Sequence, residues 1–220
     1  MGTNVHESNI ELFVFIGVHS WITLSMVPKE FFRDLPTLRT SRLILRKLSL
    51  NDARDMFAYA SNPLMTRFTT WDAHESIDVS RAFLAQAVNK YQNGQAMDWA
   101  IVDAATNQMI GTCGIVNFSE EHQRGDLGYG IAATYWGKGY MTEAARTAID
   151  CAFRMLPMNR LQACCNVHNV GSSRVMEKLG MTYEGTFRQF FQRHSEAHDV
   201  KWYSLLRREW DVLSAGSRII

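Results

Sequence analysis

The sequence predicts an α/β (α+β) fold, a mixed sheet with helices on both faces. Three observations carry that expectation: strand-like stretches through the first half of the chain, one strand–helix–strand crossover over 127–167, and a closing antiparallel pair before residue 207.

The elements follow in order. Ser41 to Leu48 (S-R-L-I-L-R-K-L) alternates as a first strand, with Leu43 and Leu45 on one face. Ser49 or Asn51 can cap the helix that follows, whose apolar stripe includes Met56, Tyr59 and Ala60, and Asn62-Pro63 ends it. Trp71 to Ser76 is a loop, and an amphipathic helix runs from Ile77 to Tyr91, stopped at Asn93-Gly94. Met97 to Val102 and Met109 to Phe118 are strands joined by a turn at Thr106-Asn107. A helix ending near Phe153 leads to a strand at Arg160 to Val167. Val170 to Leu179 is a short helix closed by Gly180. Phe187 to Arg193 and Val200 to Leu206 form the closing pair around His194 to His198.

The stretch from Asp126 to Ala145 is the centre of the reading. It gives a strand (Leu127 to Ala132), a turn (Trp136 to Gly139) and the first turns of a helix, where Thr142 and Glu143 suit an N-terminus. Gly137 and Gly139 leave the backbone uncovered where unpaired N–H groups and the positive end of the helix meet. That is a place for a phosphate or pyrophosphate. Lys138 is followed by Gly139 and not by Ser or Thr, so the nucleotide loop ending in Gly-Lys-Ser/Thr is excluded, as is a three-glycine dinucleotide fingerprint.

The string L-G-Y-G-I-x-x-x-Y-W-G-K-G-Y-M-T-E-A resembles the acetyl-CoA-binding segment of the GNAT acyltransferase superfamily, in the form carried by the RimJ/RimL branch of protein N-acetyltransferases. The superfamily pattern Gln/Arg-x-x-Gly-x-Gly/Ala falls on Trp136, Gly137, Lys138, Gly139, Tyr140 and Met141, with Trp136 and Met141 departing from it. N-V-G-S-S-R-V-M-E-K-L-G-M, from Asn169 to Met181, resembles the second signature, with Met181 in place of the usual Phe. The opening T-S-R-L-I-L-R also resembles that of the branch, and the likeness spans Leu38 to Arg208.

The resemblance implies a GNAT-type, mostly antiparallel sheet in which the strands Leu127 to Ile131 and Arg160 to Val167 splay apart. It implies acetyl-CoA as cosubstrate, no metal and no covalent enzyme intermediate. Backbone groups of Tyr129, Gly130 and Ile131 would meet the pantetheine arm, the loop Trp136 to Thr142 the pyrophosphate, and Asn169 the arm or its own helix as a cap. The acceptor amine must become neutral and the leaving thiolate must gain a proton. The Tyr that many members place seven residues after the motif Asn is Met176 here, so Ser172 is assigned as general acid ahead of Ser173. The glutamate used as base elsewhere would fall near Cys164 and is missing. Asp126 is the candidate base, with His74 and Glu75 also considered, although such groups are more often plain surface residues. A nucleophilic role for Cys164 or Cys165 is disfavoured against a small buried hydrophobe, and Phe68 and Trp71 are read as acceptor-pocket walls or as ordinary packing.

Composition bounds the rest. The chain has 220 residues, 46% hydrophobic, 20% charged, with a net charge of +1. That fits one globular domain and leaves no electrostatic footprint for nucleic acid. The four cysteines lack CxxC spacing, as expected of a reduced, cytoplasmic protein. The division expected is an N-terminal extension (1–35), an N-acetyltransferase domain (36–210) and a short tail (211–220). Leu12 to Val27 is an uncharged run of 16 residues, short of the roughly 20 that span a bilayer, so membrane attachment is the lesser reading. The expected acceptor is a protein N-terminal α-amine, of ribosomal-protein type by family inference. A small-molecule amine, or a CoA-binding module without turnover, is the alternative, and a homodimer is left open.

Overall fold

The computed structural model describes residues 32–93 and 97–216. Its strands are β1 (Leu38–Arg39), β2 (Leu43–Arg46), β3 (Met97–Asp103), β4 (Met109–Ser119), β5 (Arg124–Ile131), β6 (Arg160–Asn166), β7 (Thr182–Arg193) and β8 (Glu196–Leu206). The α-helices among the described residues are α1 (Ala53–Ala60), α2 (Pro63–Thr66), α3 (Ile77–Gln92), α4 (Tyr140–Met155), α5 (Val170–Lys178) and α6 (Arg207–Gly216). The strands form one sheet in the order β1-β2-β3-β4-β5-β6-β8-β7, antiparallel except between β5 and β6. The expected architecture is therefore present.

Local chemistry explains the element ends. Ser49 and Asp52 close a capping box on a 3-10 turn, which turns directly into α1. Asn62-Pro63 ends α1 as expected, but it also opens α2: the Asn62 side chain accepts from Leu64 N, and proline is pre-set for a first helical position. The β7–β8 hairpin is longer than its alternation predicts. Its turn is only His194-Ser195, both left-handed (φ 49° and 66°), and irregular pairing between Tyr183 and Gly185 and between Phe187 and Phe191 hides the strand period of β7. Helix α6 runs through position 210, where Trp210 stacks on Phe153 (5.2 Å) and donates to Asp150 Oδ1 at 2.7 Å.

The core lies on both faces of the sheet. Leu43 and Leu45 are both buried, and β3 is buried from Trp99 to Asp103 on alternate sides, so layers must cover each face. Helices α1 and α3 supply one layer, and α4, α5 and α6 the other. Four fully buried alanines (Ala144, Ala145, Ala148, Ala152) let α4 lie close on the strands. Residues 1–31, including the apolar run at Leu12 to Val27, lie outside the described residues. No described helix is long and apolar enough to cross a membrane.

Candidate active site

The site is built on an opening in the sheet. β5 and β6 pair at Arg124–Arg160, Gly125–Leu161 and Asp126–Gln162, after which β6 continues only against β8 and β5 only against β4. Beyond Asp126 the two strands diverge. Ala132 donates to Ile110 O on the β4 side (2.8 Å), so strand alternation turns the backbone groups of Tyr129 and Ile131 toward the gap. Gly130 turns its backbone to β4. Its missing side chain matters on the sheet face, where a Cβ would come within 2.6 Å of Met65 Cε on α2.

The two sheet faces carry different groups. On the α5 face, the Tyr129 hydroxyl donates to Ser172 O (3.2 Å) and shares a hydrogen bond with Ser172 Oγ at 2.8 Å. Burial raises the Tyr129 pKa far more than the bond to Ser172 lowers it, so the phenol stays protonated. Asn169 caps α5, its Oδ1 accepting from Ser172 N at 3.1 Å. Ser173 is buried against Cys165 Sγ (3.4 Å), deeper than Ser172. Met176 is fully buried and packs in the core.

On the α2 face, Asp126 accepts from Asn117 Nδ2 (2.9 Å) and Gln162 Nε2 (2.7 Å). Gln162 Oε1 in turn accepts from Arg160 Nε at 3.1 Å, and Arg160 forms an ion pair with Glu184. Glu184 is held down to about 2, chiefly by the Arg160 hydrogen bonds. Cross-strand pairing puts Cys164 beside Trp202 on this same face. Trp202 stacks on Phe187 (5.3 Å) and meets Phe190 edge-on (5.2 Å). Cys164 is exposed where Cys165 is buried, but partial desolvation still pushes the Cys164 thiol up to about 11, which disfavours a thiolate nucleophile.

The glycine loop joins the end of β5 to α4. Gly137 and Gly139 have φ of 72° and 81°, which non-glycine residues adopt only with strain, and Gly139 is the N-cap of α4. Trp136 Nε1 donates to Ile131 O at 2.8 Å, tying the loop to the strand and occupying that carbonyl. Tyr140, Met141 and Thr142 supply the first-turn N–H groups, while the Met141 side chain is buried in the core. Lys138 extends from the loop near the Tyr135 ring.

His74 and Glu75 sit in the loop that leads into α3. His74 Nδ1 is bonded to Ser80 Oγ (2.7 Å) at the start of α3, and burial lowers its pKa; Glu75 is exposed. The loop carrying Phe68 and Trp71 is fastened to the β7–β8 hairpin. Arg193 donates to Thr66 O (2.6 Å) and Asp72 Oδ1 (2.7 Å), and His194 Nε2 lies 2.9 Å from the same carboxylate oxygen.

Sequence reasoning missed the Tyr129 hydroxyl, because the strand position marks it only for its backbone. It also missed Arg42 and Thr40, which bond Glu143 from 101 and 103 residues away with no local signal. Among the described residues no group of three or more His, Cys, Asp or Glu could hold a metal ion.

The family model described as Acetyltransferase (GNAT) domain matches residues 42–182, which takes in both the opened strand pair and the glycine loop. The chain belongs to the GNAT acetyltransferase family. It is an acetyl-CoA-dependent N-acetyltransferase. It is 32% identical, over 80% of its length and 99% of the other, to the uncharacterized N-acetyltransferase p20 of Bacillus licheniformis. A GNAT-family acetyltransferase from Bacillus anthracis superposes with a TM-score of 0.71 at 25% identity, over 79% of this chain and 100% of that one. RimL, a ribosomal L7/L12 alpha-N-protein acetyltransferase in complex with coenzyme A, has a TM-score of 0.71 at 19% identity, over 78% of this chain and 98% of that one.

Proposed function

We propose that this N-acetyltransferase acts on a protein or peptide N-terminal α-amine. The observation that carries the reading is the open face beside the strand gap. There Asp126 sits at the mouth of the opening, and the aromatic cluster of Trp202, Phe187 and Phe190 continues the surface outward. Phe187 and Phe190 are 46% and 49% exposed, so this wall is a shelf along which several residues of a chain can lie. A small amine would gain more from an enclosed pocket.

Asp126 suits the charge of that acceptor. Its two carboxylate oxygens are each fixed by an amide N–H, so it presents an oriented anion to an incoming ammonium. An α-amine has a pKa near 8 and a lysine amine near 10.4, so the former needs far less help to become the neutral nucleophile. The donor's pantetheine arm pairs with the backbone groups of Tyr129 and the N–H of Ile131, whose carbonyl is held by Trp136, and its pyrophosphate lies on the N–H groups from Gly137 to Thr142. An N–H facing the gap polarises the thioester carbonyl as the tetrahedral intermediate forms. Ser172, oriented by the protonated Tyr129 hydroxyl at 2.8 Å, passes its proton to the departing thiolate as the C–S bond breaks and regains one from the attacking nitrogen, which sheds it on becoming the amide.

The test is release of CoA thiol from acetyl-CoA against Ala- and Ser-starting peptides, an N-blocked lysine peptide and spermidine. Turnover on the free-N-terminus peptides, abolished by blocking that amine, is the expected result. Turnover on spermidine alone would overturn the acceptor assignment and leave the donor site standing.

A further inference from the structure

The loop that receives the donor is braced from the opposite end of the sequence. Arg42, the residue before β2, sends Nε (2.8 Å) and Nη2 (2.5 Å) to Glu143 Oε2 in the first turn of α4. Its Nη1 donates to the Lys138 carbonyl at 3.2 Å, and the guanidinium lies 4.0 Å from the Tyr140 ring centroid. Thr40 Oγ1 donates to the other Glu143 oxygen at 2.5 Å. One side chain thus holds three successive parts of the loop–helix junction.

Two physical consequences follow from this geometry. A trans peptide unit points its C=O and N–H in opposite directions. With the Lys138 carbonyl drawn to Arg42, the Gly139 N–H of the same unit is turned away from Arg42 and out of the loop. The second consequence concerns charge. Glu143 lies on the first turn of the helix, where a carboxylate would compete with a bound anion for the same positive end. Burial raises its pKa, yet the bonds from Thr40 and Arg42 outweigh that and keep it ionised and spoken for. We infer that Arg42 is a positioning residue for the donor: it sets the Lys138–Gly139 peptide plane and neutralises Glu143, so that the loop accepts the pyrophosphate of acetyl-CoA.

This inference rests on the reading of residues 137–142 as the pyrophosphate cradle, and the experiment separates the two. Two thioester donors are compared: acetyl-CoA, and acetyl-pantetheine, which keeps the arm and lacks the nucleotide and its pyrophosphate. Arg42→Met should raise KM for acetyl-CoA about tenfold or more, as befits a lost charged hydrogen-bond fork, with kcat within about twofold. Its kcat/KM with acetyl-pantetheine should equal the wild-type value. Arg42→Lys keeps the charge without the fork and should fall between the two. An equal loss with both donors would mean that Arg42 only supports the fold, and unchanged KM for acetyl-CoA would refute the brace outright. If the wild type itself does not prefer acetyl-CoA to acetyl-pantetheine, the cradle assignment fails and takes the inference with it.

Discussion

Ser172→Ala separates chemistry from structure at the strand gap. Removing Oγ deletes the 2.8 Å contact with the Tyr129 hydroxyl, but Tyr129 keeps the Ser172 carbonyl at 3.2 Å. The helix cap also survives, because Asn169 Oδ1 accepts from the backbone N–H of residue 172 and not from its side chain. The stability cost is therefore that of one hydrogen bond without an orphaned partner, about 0.5–1.5 kcal/mol. Loss of a general acid is larger, about 100-fold in kcat or roughly 3 kcal/mol of barrier. In the CoA-release assay kcat should fall by about that factor, with KM for acetyl-CoA within about threefold of wild type. Tyr129→Phe should cost less, and the double variant should be no worse than Ser172→Ala alone, because Tyr129 acts through Ser172. A Ser172→Ala enzyme with kcat within about threefold of wild type would refute the assignment.

Three further outcomes are expected. Gly139→Ala has room for its Cβ, with Arg42 Nη2 3.7 Å away, but φ of 81° costs an alanine about 1–2 kcal/mol, so the loop should relax and KM for acetyl-CoA should rise about tenfold in steady-state assays. Gly180→Ala combines φ of 82° with a Cβ 2.7 Å from Leu213 Cδ1; thermal unfolding should show a loss of about 1–2 kcal/mol while kcat is unchanged. Asp98 on β3 is half-buried and desolvation pushes its carboxyl up to about 6. Its folded pKa lies above the unfolded one near 3.9, so its ionisation disfavours the folded state and stability falls as pH rises from about 4 to 6. Asp98→Asn should therefore gain on the order of 1–3 kcal/mol over wild type at pH 7.5 relative to pH 4.5, read from denaturant midpoints.

The parts of the fold that were legible share a feature: their signal is local. Leu43 and Leu45 announce a buried strand face by alternation, Asn107 marks its turn and takes φ of 59°, and Gly180 closes α5 with φ of 82°. The hairpin was harder, since the irregular pairing around Gly185 and Phe191 shifts which residues face the core. In the candidate site, the positive φ of Gly137 and Gly139 and the capping role of Asn169 were legible because each sits at an element end where backbone geometry demands a residue type, whereas Ser172 was reached only through the family resemblance. Side-chain partnerships were not visible. Nothing near Asp126 in sequence marks Gln162 as its amide donor, and nothing near Glu143 marks Arg42, because sheet order creates those neighbours.

Three residue pairs hold β5 to β6, and they divide the sheet into two plates, β1 to β5 and β6-β8-β7, joined along a short seam. Tyr129 belongs to the first plate. Ser172 belongs to the second, on the helix that leaves β6. Their 2.8 Å contact is thus a clasp across the seam, and its length gauges the angle between the plates. A substitution far out on either plate that tilts one against the other would be felt at Tyr129 and Ser172 through this clasp, while the glycine loop is tied to the first plate by Trp136 on the Ile131 carbonyl and Arg42 on the Lys138 carbonyl.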